Sequence, residues 1–104
     1  DVPIALLPRC SHCSGLLRPH IVWFGESLAE EDLETSAAAL QSSDLCLIIG
    51  TSGLVYPAAC FGSIAKQAGA FVVEINLDAT AQSGIVDAAL QGRAKDIVPL
   101  LLQA

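Results

Sequence analysis

The chain reads as an α/β fold, a parallel sheet covered by helices and preceded by half of a small zinc-binding module. Three observations predict it. Apolar runs of strand length alternate with segments of helical period. Two of those strands end in polar turns, at Gly50-Thr51-Ser52 and at Asn76-Leu77-Asp78. A Cys10-Ser11-His12-Cys13 turn stands ahead of them all.

Composition sets the bounds. A length of 104 residues makes one domain or part of one, with a small core. Apolar residues at 53% against 15% charged predict faces that pack on something else, either further sequence or a partner chain. Five Lys and Arg against eleven Asp and Glu leave a net charge of −6. That balance argues against a nucleic-acid surface, which needs clustered cations to neutralise phosphates, and favours a basic partner. No apolar stretch approaches the roughly 20 residues that span a bilayer, so no membrane partner is expected.

The elements follow in order. Cys10 and Cys13 have the spacing of one zinc knuckle, which supplies two of the four ligands of a tetrahedral site. A redox pair of the thioredoxin type is the competing reading. Pro8 before the pair and Ser14-Gly15 after it form turn chemistry and favour zinc, because a redox pair opens a helix. Ile21 to Phe24 is β-branched and aromatic, and predicts a short extended segment. Ser27-Leu28-Ala29-Glu30 fits a capping box, and Leu33, Ala37 and Leu40 recur at helical spacing, so a helix is expected from about Leu28 to Gln41. Its acidic first turn, Glu30, Glu31 and Asp32, complements the helix dipole and needs no binding role.

Leu45 to Ile49 is an unbroken apolar run closed by Gly50-Thr51-Ser52-Gly53, the pattern of a strand buried on both faces. A second helix is expected from about Pro57, with Phe61, Ile64, Ala65 and Ala68 on one face and Gly69 just past its end. Phe71 to Ile75 is the next strand, Asp78 to Gly84 a loop, and Ala88 to Gly92 a short strand or turn. Asp96 is placed to cap a last helix bearing Ile97, Val98 and Leu100 to Leu102, with Pro99 in its first turn. Cys46 and Cys60 lie in apolar periodic runs and read as small core residues. There is no internal repeat.

Open parallel sheets bind ligands beyond the carboxyl ends of their strands, where this sequence gathers glycine, hydroxyls, an amide and an acid. A nucleotide-sized ligand fits that set. The plainer reading makes Gly50 and Gly53 turn residues and Asp78 a solvated acid, and no complete glycine fingerprint for a dinucleotide is present.

The ordered blocks CSHC, LRPHIVWFGESL, DLCLIIGTSGLVYPAA, VVEINLD and GRAKDIVP resemble the C-terminal half of a sirtuin, over essentially the whole chain. The similarity is greatest to the bacterial and sirtuin-5-like class of NAD-dependent protein deacylases. It implies that residues 1–17 are the second half of the zinc module. Residues 18–104 would then be the C-terminal part of a Rossmann-like NAD-binding domain whose N-terminal half is absent. It also implies transfer of an acyl group from lysine to the ADP-ribose of NAD, with release of nicotinamide.

By matching motif, Cys10 and Cys13 would bind zinc. Gly50, Thr51, Ser52, Asn76, Leu77, Asp78 and the backbone of Ala94 would line the adenosine side of NAD. Relatives often carry Glu where Asp78 stands. Val22, Phe24, Gly25 and Glu26 would receive an acyl-lysine protein or peptide as an added strand, with Val22 the acceptor for the acyl-lysine amide. Phe24, Leu28, Val55 and Tyr56 would wall the tunnel around the lysine stem. Core packing is the preferred role for Trp23, and a structural one for His20. Arg18 and Pro19 would position the start of the extended segment, and His12 would face solvent.

The resemblance lacks the family's glycine-rich NAD loop, its catalytic histidine and its first cysteine pair. No catalytic residue is therefore assigned, and the isolated chain is expected to be inactive, its other half lying elsewhere in cis or in trans. Two alternatives remain. One is a non-catalytic nucleotide-binding module like the middle domain of thiamine-diphosphate enzymes, which carries no cysteine knuckle. The other is a peptide-binding remnant. Reduced thiols and the lack of a secretory signal predict an intracellular site, cytoplasmic or mitochondrial.

Overall fold

The computed structural model describes residues 2–103; Asp1 and Ala104, the outermost positions of the two predicted modules, lie outside the described residues. After a short 3-10 turn at Ile4–Leu6 come helix α1 (Glu30–Gln41) and strand β1 (Leu45–Ile49). A 3-10 turn (Ala58–Cys60) then runs into helix α2 (Phe61–Gln67), followed by strands β2 (Phe71–Asn76) and β3 (Ala88–Gln91) and helix α3 (Ala94–Leu102). The sheet has the order β1-β2-β3 and is parallel throughout. Cys46 stands opposite Val72, Ile49 opposite Ile75, and Ile75 opposite Leu90.

The centre of the sheet is the best buried part of the molecule. Val72, Val73, Glu74 and Ile75 of β2 are all buried. Helix α2 packs on β1 and β2, α1 packs on α2, and α3 packs back on β2. Ala65, Ala70 and Val72 form the core cluster, with Leu40, Cys46, Ile48 and Val86 closing around it. Burial there pushes the Cys46 thiol above its ordinary pKa. Leu33, Ala37 and Leu40 are half-buried along one side of α1, as their spacing predicts.

The predicted glycine stop of α2 is realised in detail. Gly69 adopts φ +103, its N–H donates to the Lys66 carbonyl at 3.0 Å, and the Ala70 N–H donates to the Ala65 carbonyl at 3.0 Å. These two bonds are the Schellman pair that satisfies the last carbonyls of a helix and turns the chain directly into β2.

Several expectations are corrected. The capping box does not form: α1 begins at Glu30 behind an extended Ala29, with no side-chain cap bond. Glu30 therefore sits in the first helical position, where it cannot reach back to Ser27. Ile21 to Trp23 has no strand partner among the described residues, and Phe24-Gly25 is a turn. Trp23 is half-exposed rather than a core residue. Strand β1 is not buried on both faces, since Leu45, Leu47 and Ile49 remain exposed on the side facing away from α2. Ala68 and Cys60 are exposed as well. Helix α3 starts at Ala94 behind Arg93, without a side-chain cap, so Asp96 lies in its first turn and Pro99 in its interior.

The described residues extend 50 × 30 × 27 Å, with a radius of gyration of 18.2 Å. A compact chain of this length has about 13 Å. Residues 2–29 are nearly all exposed and contribute no strand to the sheet.

Candidate functional site

Because all three strands are parallel, their carboxyl ends share one edge. The Gly50 N–H donates to the Ile75 carbonyl at 2.9 Å and the Gly92 N–H to the Asn76 carbonyl at 2.8 Å. Gly50, Asn76 and Gly92 therefore stand side by side at the tips. A groove of about 470 Å³ opens there, lined by Gly50, Asn76, Leu77 and Ala94 from the predicted cofactor set, together with Arg93 and Lys95. At Gly50, φ +65 leaves nothing within 4 Å of where a side chain would project, so the backbone itself faces the groove.

The tips are tied together by Asn76. Its Nδ2 donates to the Thr51 carbonyl at 2.7 Å while its Oδ1 accepts the Leu77 N–H at 2.9 Å. Thr51 and Ser52 shape the loop: Thr51 Oγ1 accepts the Gly53 N–H at 3.3 Å and Ser52 Oγ the Leu54 N–H at 3.4 Å. Thr51 lines a separate, largely apolar cavity of about 310 Å³, and neither Ser52 nor Asp78 lines the tip groove. The structure thus gathers Gly50, Asn76, Leu77 and Ala94, and leaves Thr51, Ser52 and Asp78 on the adjoining loops.

The predicted peptide residues do converge. Val22, Phe24, Gly25, Glu26, Leu28, Val55 and Tyr56 line one groove of about 310 Å³, with Trp23 and Pro57 beside them. Phe24 is 94% exposed, a large apolar side chain held out to solvent at the mouth of that groove. Arg18 organises this side. Its guanidinium makes a two-pronged pair with Glu26, Nη1 to Oε1 at 2.7 Å and Nη2 to Oε2 at 3.0 Å, and Nη2 also donates to the Ile21 carbonyl at 2.8 Å. It also lies 4.6 Å from the centre of the Trp23 ring. Glu26 accepts the Trp23 N–H at 3.0 Å. Arg18 first, and that amide second, hold the Glu26 carboxyl below its usual range. The predicted role of Arg18 in positioning this segment thus has a structural basis, and the Glu26 carboxylate is committed within the segment.

The cysteine turn is a tight knuckle. Arg9 and Leu16 form an antiparallel bridge, the Cys10 N–H donates to the Gly15 carbonyl at 2.8 Å, and the Ser14 N–H donates to the Cys10 carbonyl at 2.9 Å. The His12 N–H points at Cys10 Sγ at 3.4 Å. That amide, followed by the Cys13 amide and thiol, lowers the Cys10 thiol pKa from its ordinary value. Amides aimed at sulfur suit a thiolate, the form that binds a metal, so the pair fits two ligands of a zinc site. Among the described residues no cluster of three or more His, Cys, Asp or Glu gathers for a metal. His12 and His20 are exposed.

Sequence reasoning missed three features. Arg93 and Lys95 place two cations at the tip groove, a signal visible as the basic residues bracketing Ala94 in an acidic chain. Glu74, 2% exposed, accepts hydrogen bonds from the hydroxyls of Thr80 and Ser83, and Gln82 is buried beside them. The available signal was a carboxylate in mid-strand followed by hydroxyls six and nine residues on. Asp87 joins the start of β2 to α2 through Val72 and Lys66.

Residues 1–57 match the Sir2 family. The chain is similar to NAD-dependent protein deacylase 2 of Pyrobaculum aerophilum, with 49% identity over 104 residues, 99% of this chain and 42% of that protein. A solved complex of a Sir2 homologue with NAD superposes with a TM-score of 0.87 at 38% identity, over 98% of this chain and 40% of that one. A Sir2 structure with a p53 peptide and NAD+ superposes with a TM-score of 0.80 at 29% identity, over 93% and 40% of the two chains. The chain spans about 40% of the length of these proteins. With the family match over more than half of its residues, and the same arrangement of parallel strands and helices as those solved structures, the chain belongs to the Sir2 family.

Proposed function

We propose that these residues form the adenosine side and the peptide side of an NAD-dependent protein-lysine deacylase. The observation that carries this reading is the convergence of Gly50, Asn76, Leu77 and Ala94 on one strand-tip groove while Val22, Phe24, Gly25, Glu26, Leu28, Val55 and Tyr56 share another. At the tips, bare backbone at Gly50 allows close approach of a sugar or base, and Arg93 and Lys95 complement an anionic ligand. Thr51, Ser52 and Asp78 would complete that side from the adjoining loops. At the other groove, main chain around Val22 to Glu26 would bond an extended acyl-lysine peptide, and Phe24, Leu28, Val55 and Tyr56 would exclude water from the lysine stem. NAD, when bound, supplies the ADP-ribose that accepts the acyl group as nicotinamide leaves.

Cys10 and Cys13 would hold two of the four positions of a structural zinc, with residues 1–17 as its module and residues 18–104 as the Rossmann-like part. Four free thiols suit a reducing compartment inside the cell, cytoplasmic or mitochondrial.

What these residues do for the reaction is bind and orient, which lowers a barrier by holding reactants in place. The Glu26 carboxylate is tied to Arg18 and held ionised, so it is a poor proton acceptor near neutrality. The base would come from beyond these 104 residues, in cis or in trans. The same observation favours a second reading for a polypeptide confined to them, a nucleotide- or peptide-binding module without turnover.

The test is calorimetric titration of the full-length protein with ADP-ribose, together with turnover of acetyl-, succinyl- and malonyl-lysine peptides in the presence of NAD. Binding of ADP-ribose and release of nicotinamide with at least one peptide are expected. A protein that binds ADP-ribose without turnover is the binding module, and one that binds neither ligand overturns both readings.

A further inference from the structure

Gln82 has a surrounding that no nucleotide or peptide contact accounts for. It lies in the loop between β2 and β3, yet it is only 9% exposed. Its Nε2 donates to the Ala59 carbonyl at 3.1 Å and to the Gly53 carbonyl at 3.4 Å. Those two carbonyls are the ends of one segment, and between them lie Val55, Tyr56, Pro57 and Ala58, which wall the peptide groove. Gly53 also opens out of the β1-tip loop that begins at Gly50. A side-chain carbon at Gly53 would sit 2.6 Å from Gln82 Cγ, so the amide packs directly on bare backbone held at φ +66.

The backbone of Gln82 is itself held by the polar cluster on β2. The buried Glu74 carboxylate in mid-β2 accepts from Thr80 Oγ1 and Ser83 Oγ. Thr80 Oγ1 in turn accepts the Gln82 N–H at 3.0 Å, and Ser83 Oγ accepts the Thr80 N–H at 2.8 Å. No buried side-chain nitrogen or oxygen among the described residues lacks a partner. A fully satisfied polar cluster of this kind specifies one local arrangement, since any displacement leaves buried groups unpaired.

We infer that Gln82, anchored by Glu74, Thr80 and Ser83, is a positioning residue that staples the two ends of the Gly53–Ala59 segment and so fixes the peptide-groove wall relative to the β1-tip loop. This rests on the reading of the two grooves as peptide and nucleotide sites. Removing the donor frees the wall without touching either ligand, so the effect falls on substrate binding more than on the chemical step.

The experiment compares three variants of the full-length protein. Gln82→Met keeps the length of the side chain and removes both hydrogen bonds. Gly53→Ala pushes the amide away from the opposite side. Gly69→Ala, at the far end of α2, serves as a control for lost stability. For Gln82→Met and Gly53→Ala, peptide KM is expected to rise about tenfold or more, the order set by losing one to two net hydrogen bonds, with kcat within about twofold and faster amide exchange over residues 53–60. Gly69→Ala should leave KM unchanged. Unaltered KM and unaltered exchange over residues 53–60 in both groove-side variants, or an equal KM rise in the control, overturn the staple. A wild-type protein that neither binds ADP-ribose nor processes peptide overturns the functional reading instead. Exchange over residues 53–60 still decides the staple in that case.

Discussion

Asp87 shows how one side chain sets the start of the central strand. Its Oδ2 accepts the Val72 N–H at 2.9 Å, its own N–H donates to the Val72 carbonyl at 2.9 Å, and Oδ1 lies 2.9 Å from Lys66 Nζ. The Val72 amide first, and Lys66 second, lower the Asp87 carboxyl pKa from its ordinary value. A depressed carboxyl contributes stability that is present above its unfolded pKa of about 4 and is lost as pH falls through the lower folded value. Urea denaturation of the wild type should therefore lose part of its stability below about pH 4. Asp87→Asn should be less stable than wild type at pH 7, with the gap closing in acid. A gap independent of pH from neutrality to pH 3 would contradict the assignment. Asp87, like Gln82, was not legible in the sequence, because its partners Val72 and Lys66 lie 15 and 21 residues away and only folding brings them to it.

Elements were legible where their signals are local. The apolar run of β1, the β-branched run of β2 and the glycine stop of α2 are each written in adjacent residues and stand where their patterns put them, whereas α2 begins at Phe61 behind a 3-10 turn rather than near Pro57. At Gly69 the positive φ is disfavoured for any residue with a side-chain carbon, and nothing crowds the position. Gly69→Ala should therefore cost about 1–2 kcal/mol through backbone strain alone, seen as a lower thermal midpoint with an unchanged far-ultraviolet spectrum. A midpoint equal to wild type would show that the turn relaxes without cost. Element starts were less legible. Ser27 and Glu30 have the capping spacing, but Ala29 leaves the helix in an extended conformation and shifts the register of the first turn. The aromatic segment at Ile21 to Phe24 has the residues of a strand and, among the described residues, no neighbouring strand to pair with, so Arg18 and Glu26 close it into a turn instead.

The molecule as a whole is organised around a thin core. The large side chains Val72 and Ile75 are fully buried, and the outward residues of β1 stay exposed. Ile75→Ala should cost about 2–5 kcal/mol, a large share of the roughly 5–15 kcal/mol typical of a folded domain. A fall in the urea midpoint checks it; a midpoint within error of wild type would mean that the core does not bear on Ile75. The sequence by itself determined the order of elements, the parallel sheet and the strand-tip loops, because periodicity and turn chemistry act between near neighbours. It also held, in short blocks readable along the chain, the residues that converge on the groove between Val22 to Leu28 and Val55 to Ala58. Only the tertiary structure decided that Arg93 and Lys95 line the tip groove, that Thr51 lines a different cavity, and that Gln82 reaches the distant Gly53 and Ala59 carbonyls. Strand register and helix packing set those distances, and neither is encoded in any short stretch of residues.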